Sequence, residues 1–140
     1  MSEIKVLHEG EYLGLYRRGH WEFALRPHSA ACATILPITD AGEIVLIEQF
    51  RVPMQARVIE VPAGLVGDEA EFEGESIADC AGRELLEETG YKAESIIELM
   101  ATPTSAGMTP EITHMFAATG LSKVHEGGGV DDEDISVHVV

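Results

Sequence analysis

Three glutamates and one arginine in a short stretch are the residues of this sequence best suited to chemistry. Glu84, Glu87 and Glu88 stand at offsets of three and four, so on a helix they share a face within one turn. Like charges at these spacings repel, and carboxylates in a last turn oppose the helix dipole. A hard divalent cation such as Mg2+ or Mn2+ takes oxygen ligands and would remove that repulsion. Arg83, beside them, is placed to hold one carboxylate in orientation. The alternative for such a triplet is an acidic face in contact with water.

The elements that must position these residues can be read in outline. Residues 76–89 form a helix, capped by Ser76 with Asp79 three residues on, and stopped by Gly90. Ala78, Ala81, Gly82 and Leu85 gather on one side of it, a small-residue face suited to packing on a sheet. Short β-type runs occupy 4–7, 12–17, 21–25, 32–38, 43–50, 57–61, 96–101, 112–118 and 135–140. Residues 64–74 read as a loop dense in acids (Asp68, Glu69, Glu71, Glu73), and 102–110 as a Thr/Pro/Ser/Gly loop. Many strands around one helix predict an α+β fold.

Composition narrows the function classes. The chain has 140 residues, with nine Lys+Arg against 25 Asp+Glu and a net charge of −16. Such a balance repels nucleic acid and anionic membrane surfaces, so neither is an expected partner. A phosphate compound would need divalent cations to bridge the two anions. No apolar run reaches the length of a membrane span, and the first twelve residues lack a signal-peptide core. Cys32 and Cys80 lack metal spacing and read as reduced core thiols, which points to the cytoplasm. The six histidines show no ligand spacing.

From Arg83 to Tyr91 the chain reads R-E-L-L-E-E-T-G-Y. This resembles the Nudix box, R-E-U-x-E-E-x-G-U, with U a bulky apolar residue. Glu75 stands eight residues before Arg83, where that family places its earlier glutamate. The family's glycine six residues earlier would fall on Glu69. Gly64 of Pro62-Ala63-Gly64-Leu65-Val66 matches better, because it resembles the P-A-G turn leading into the box. On that alignment 67–75 carries a five-residue insertion, whose acids form a solvated surface or an extra cation site. The resemblance implies the Nudix fold: an α/β/α sandwich with a mixed central sheet and the Nudix loop-helix-loop. It implies one domain over 1–140, with 1–26 as an N-terminal β region available for dimerisation, and hence a homodimer.

The surroundings of the box resemble one branch of the family. Glu48-Gln49-Phe50-Arg51 followed by Ile59-Glu60-Val61-Pro62-Ala63-Gly64 is similar to the pattern of ADP-ribose pyrophosphatases and related nucleoside-diphosphate-sugar hydrolases. Thr104-Ser105-Ala106-Gly107 through Glu111 resembles their S-P-G-x-x-x-E loop. A proline about sixteen residues beyond the box glycine goes with ADP-ribose in that branch; this position is Ala106, with Pro103 and Pro110 nearby. By this likeness Arg51 contacts phosphate or the terminal ribose, and Glu60 assists ligand or metal, or is structural. Gly64, Gly107 and Glu111 carry over as substrate-binding positions. Trp21 either stacks on the base or packs in the core or a dimer interface.

The implied reaction is hydrolysis of a pyrophosphate bond by metal-activated water, giving AMP and ribose 5-phosphate from ADP-ribose. Glu84 and Glu88 would be the main ligands of two or three Mg2+ or Mn2+ ions, with Glu87 and the Ala63 carbonyl beside them, and Arg83 would orient the cluster. In this branch the general base comes from a mobile acidic loop after the box. Here that loop runs from a glycine hinge, Gly127-Gly128-Gly129, to Val130-Asp131-Asp132-Glu133-Asp134, with Glu133 the first candidate and Asp131 the second. Alternatives are a Nudix-like binding module that does not cleave, or hydrolysis of a GDP-sugar, a dinucleoside polyphosphate or a nucleoside triphosphate. Relatives of this branch commonly continue into a C-terminal helix, so an end at Val140 implies a short form or a missing piece. If Glu133 is the base, Glu133→Gln should lower turnover with little change in KM, and Asp131→Asn should be milder. Steady-state kinetics of the two variants check this, and a crippling Asp131→Asn would reassign the base.

Overall fold

Burial alternates cleanly along residues 31–37, and that strand has a neighbour on each side. In the computed structural model, which describes residues 3–27, 31–67, 70–131 and 133–140, ten strands and one α-helix are formed. They are β1 (Ile4–Glu9), β2 (Gly14–Arg18), β3 (Trp21–Leu25), β4 (Ala31–Pro37), β5 (Val45–Arg51), β6 (Ala56–Glu60) and β7 (Ala63–Leu65). Then come α1 (Ile77–Thr89), β8 (Tyr91–Pro103), β9 (Ile112–Lys123) and β10 (Ile135–Val139). The central sheet has the order β7-β4-β9-β8 and is mixed: β4 runs parallel to β9, and the other pairs are antiparallel. A second sheet, β10-β5-β6, and an N-terminal one, β1-β2-β3, are antiparallel throughout.

The helix forms where its caps demand. The Ser76 hydroxyl oxygen accepts the Asp79 N–H at 3.0 Å and donates to the Asp79 carboxylate at 2.6 Å. Gly90 takes a left-handed conformation at φ 77°, and its N–H donates to the Leu86 carbonyl. Cys80, Ala81 and Leu85 press onto Ala33, Ile35, Phe116 and Ala118 to make the core. Of the expected small-residue face, Ala81, Gly82 and Leu85 pack inward, and a Cβ on Gly82 would stand 3.2 Å from the Ile96 side chain; Ala78 is exposed, and Cys80 joins the packing face. The α+β class and the mixed sheet are as expected. The described residues supply one helical layer, on one face of the sheet.

Three differences from the sequence expectation exceed a shift of two residues at a strand end. Residues 63–65, read as the start of a loop, pair with β4 (Cys32↔Leu65 to Thr34↔Ala63). The strand expected at 96–101 begins at Tyr91, straight after the helix stop, and its partner runs on to Lys123 instead of Ala118. Both extensions are mostly polar and half exposed, so they lack the apolar run that marks a strand; their long antiparallel pairing holds them. Of the insertion acids Asp68 and Glu69 lie outside the described residues, as do His28 and the loop acid Asp132. Among the described residues no helix is long and apolar enough to cross a membrane.

Leu85 is fully buried at the centre of this packing. Leu85→Ala should lower the unfolding free energy by about 3 kcal/mol, as for other leucines deleted from a packed core. Urea denaturation checks it, and a loss well under 1 kcal/mol would mean the helix is not held by that core.

Candidate active site

The last turn of α1 carries a carboxylate where a carboxylate is hard to keep. Glu88 is 3% exposed, and its Oε2 accepts the N–H of Ala63 at 3.0 Å. Burial pushes its pKa up to about 8; the Ala63 N–H opposes the shift, and the nearby Glu84 and Glu133 charges add to it, with Arg51 opposing. The fold brings Ala63 and Gly64 here by pairing the short strand β7 to β4, next to α1. Gly64 lies so close to Glu84 that a Cβ would fall on its carboxylate. Ala63, Gly64, Glu84 and Glu88 therefore form one group.

Arg83 gathers the remaining carboxylates. Its guanidinium donates to both oxygens of Glu75 (2.9 and 3.2 Å), to Glu84 at 2.8 Å and to Glu87 at 3.1 Å. The sequence suggested that it would hold one carboxylate; it holds three. Glu75 is kept below the usual carboxylate range, chiefly by Arg83 and in smaller part by the Gly67 N–H. With Glu84 and Glu87 tied to Arg83, no group of three His, Cys, Asp or Glu side chains among the described residues is spaced as a metal cage. The donor chemistry nevertheless fits a hard cation. A buried carboxyl beside a glycine turn, with Glu84 and Glu87 near it, is an oxygen donor set of the kind a hard cation takes.

The glycines at 127–129 do not form the free hinge expected of them. All three have positive φ (75°, 112° and 82°) and lie on the end of α1. The N–H of Gly128 donates to the Glu88 carbonyl at 2.9 Å, and that of Gly129 to the Glu87 carbonyl at 3.0 Å. Helix ends leave such carbonyls unpaired, and here the loop satisfies them. A Cβ at Gly127 would collide with the backbone of Glu88 and Thr89, so glycine is what allows the docking. Beyond it, Glu133 accepts the Val130 N–H at 2.9 Å and is close enough to raise the Glu88 pKa. Asp131 is exposed, with φ 54°.

Other expected residues form two further groups. Arg51 donates to Glu60 at 2.8 Å on the face of β5 and β6 that Ile47 shares. Trp21 is exposed rather than in the core, and its indole N–H donates to the Gly107 carbonyl at 3.0 Å. Arg26 donates to Glu111 at 2.9 Å, and Thr104 to Glu111 at 3.1 Å. Cys32 lies between the groups: burial, with Glu111 next, pushes its thiol to about 11, and Glu84 and Glu88 also act on it.

Two residues were missed in the sequence. Arg26 carries no motif, and only the docking of β3 on the 105–109 loop brings it to Glu111. Arg57 donates to Glu48 at 2.6 Å and to Asp134 at 2.9 Å, tethering the acidic loop to β5. The structure supplies the reason: in the β5–β6 register Arg57 stands opposite Phe50 and so shares a sheet face with Glu48.

Comparison with known proteins gives likenesses of sequence and of fold. The sequence model described as "NUDIX domain" matches residues 28–138. A "Methanol dehydrogenase activator" of Bacillus methanolicus is 38% identical over 107 residues, covering 76% of this chain and 55% of that protein. An "ADP-ribose pyrophosphatase" of Bacillus subtilis (strain 168) is 38% identical over 109 residues, with 76% and 55% covered. A "GDP-mannose pyrophosphatase" of Cronobacter sakazakii is 36% identical over 113 residues, with 75% and 56% covered. The chain thus spans about half the length of the curated relatives it matches. A solved structure titled "Crystal structure of ADP compounds hydrolase" superposes with a TM-score of 0.79 at 20% identity, covering 98% of this chain and 75% of that one, which is a likeness of fold.

The buried acid makes a pH signature. An unfolded glutamate loses its proton near pH 4.5 and folded Glu88 near pH 8. Between them the folded state keeps a proton that the unfolded state has lost, so stability without metal falls as pH rises through that window. Glu88→Gln is neutral at every pH and should show a flatter dependence. Melting temperatures in excess chelator between about pH 4.5 and 8 check this; equal slopes would mean that Glu88 ionises normally.

Proposed function

The chain belongs to the Nudix family, and on that footing we propose that it hydrolyses the pyrophosphate bond of a nucleoside diphosphate sugar, ADP-ribose or a close analogue. The observation that carries this reading is the buried Glu88 carboxyl on the Ala63 amide, beside Glu84 and the Gly64 turn. Relatives named for ADP-ribose and GDP-mannose pyrophosphatase activity support the substrate class. Ala106, where ADP-ribose enzymes of this kind carry proline, favours a GDP-sugar as the second reading.

Glu84, Glu88 and the Ala63 carbonyl would hold Mg2+ or Mn2+, two or three ions with Glu87 near. When bound, the metal supplies a water of lowered pKa and positive charge for the diphosphate oxygens. Glu88 must give up its proton to become a ligand, and the Arg83 clamp keeps Glu84 and Glu87 close by. Glu133, held by the Val130 amide on the loop docked over the helix end, takes the proton of the attacking water. Arg51, oriented by Glu60, reaches a phosphate oxygen.

A cavity of about 410 Å3 lies between β3 and the 106–110 loop, lined by Arg18, Trp21, Phe23, Ala106, Gly107 and Pro110. The indole anchored on Gly107 gives it a flat π face for a base, and Glu111 braces the loop through Arg26 and Thr104. Ile4, Val6, Leu13 and Leu15 of the N-terminal region are exposed, and a homodimer through that sheet in a cytoplasmic setting completes the reading.

Purified protein should release AMP from ADP-ribose, or GMP from a GDP-sugar, with Mg2+ or Mn2+ and nothing in excess chelator. Glu88→Gln should cut turnover at least about a hundredfold. Product chromatography with a panel of diphosphates decides it. Full activity in chelator would overturn the metal mechanism, and cleavage of nucleoside triphosphates alone would overturn the substrate class.

A further inference from the structure

The insertion at 67–75 has no part in the proposed reaction, yet it carries a side chain onto the centre of the cluster. The Phe72 ring lies under the Arg83 guanidinium, 4.0 Å from centroid to Cζ. Every in-plane donor of that guanidinium is already engaged. Nε meets Glu75, Nη1 meets Glu84 and Glu87, and Nη2 meets Glu75 and the Cys80 sulfur. The flat faces are what remain, and Phe72 covers one of them. Arg83 is accordingly only 16% exposed, although it lies on a strongly acidic surface.

The loop is built to hold the ring there. The Glu75 N–H donates to the Phe72 carbonyl at 3.0 Å, and the Gly67 N–H donates to Glu75 Oε1 at 3.2 Å. Gly67 and Gly74 take positive φ at the two ends of the segment. Glu75 is thus both the two-toothed partner of Arg83 and the latch of the loop that carries Phe72.

We infer that Phe72 is a positioning residue, which the insertion places on Arg83 so that one guanidinium keeps Glu75, Glu84 and Glu87 together for a divalent cation. This rests on reading the glutamate cluster as the cation site. An aromatic face attracts a guanidinium and displaces water from it, which strengthens ion pairs at its edge. It also stops the plane from tilting, and the pairs depend on that plane. Without the ring the guanidinium hydrates and tilts. The glutamates then separate under their own repulsion, and cation affinity falls.

The experiment is Mn2+ titration of the whole chain, followed by the loss of the free Mn2+ resonance signal, with melting temperatures in chelator measured alongside. Phe72→Leu keeps apolar bulk without a π face, and Phe72→Tyr keeps the face. Phe72→Leu should weaken Mn2+ binding about tenfold, the effect of one partly desolvated cation–π contact. Its metal-free melting temperature should change little, and Phe72→Tyr should bind as the wild type does. Equal affinity in all three proteins would overturn the inference alone. So would Phe72→Tyr as weak as Phe72→Leu, since the aromatic face would not be the agent. A wild-type chain that takes up no Mn2+ would overturn the cation site and this inference with it.

Discussion

A carboxyl group buried at the C-terminal end of a helix is disfavoured twice, by the loss of water and by the helix dipole. Glu88 is held there against both effects. Around it the Ala63 amide supplies one hydrogen bond, and the amides of Gly128 and Gly129 satisfy the Glu88 and Glu87 carbonyls at the helix end. What they leave unbalanced appears as a pKa near 8. Two local features accompany this one group: the approach of Gly128 and Gly129 to the helix end, and the short strand β7 that delivers the Ala63 amide; the missing Cβ at residue 64 makes room for Glu84 instead.

The same constraint orders the charges around the site. Sixteen net negative charges on 140 residues leave few cations to spend on structure, and several of the arginines are placed on glutamates beside the site. Arg83 draws three glutamates together, Arg51 is set on Glu60, Arg26 on Glu111, and Arg57 on Glu48 and Asp134. Exposed pairs of this kind contribute little stability. Their value is orientation, since each fixes a carboxylate or a loop in or beside the proposed site. The half-buried Arg83 pairs are the exception, because water is kept from the guanidinium on its edge and on one face.

The proposed base pocket depends on a different contact. Among the described residues the N-terminal sheet pairs with no strand of the central one; it reaches the body through Ala24 and Trp21 on the carbonyls of Met108 and Gly107, and through Arg26 on Glu111. The loop resembling the family's S-P-G-x-x-x-E segment is therefore shaped from both sides, and its departure at Ala106 falls in the cavity wall. The region named for reaction chemistry and the region named for substrate are linked through β4, where Cys32 senses the charges of both.

What the residues alone determined was local. The capped helix, its small face, the three glutamates in one turn and most strands follow from periodicity, caps and stops, which act over a few residues. The pattern Arg83 to Gly90 with Pro62 to Gly64 identified the family because those residue types are needed in that order whatever surrounds them. Tertiary structure decided whatever joins residues far apart in the chain. Alternation could not reveal that the mostly polar residues 91–95 pair as a strand, because their partners are residues 119–123. Nor could it reveal that Trp21 meets Gly107, that Phe72 meets Arg83, or that three glycines dock on a helix end instead of swinging free. The burial of Glu88 is of the same kind: a glutamate's type and spacing say that it can bind a cation, but only packing removes the water and changes what its carboxyl does at neutral pH.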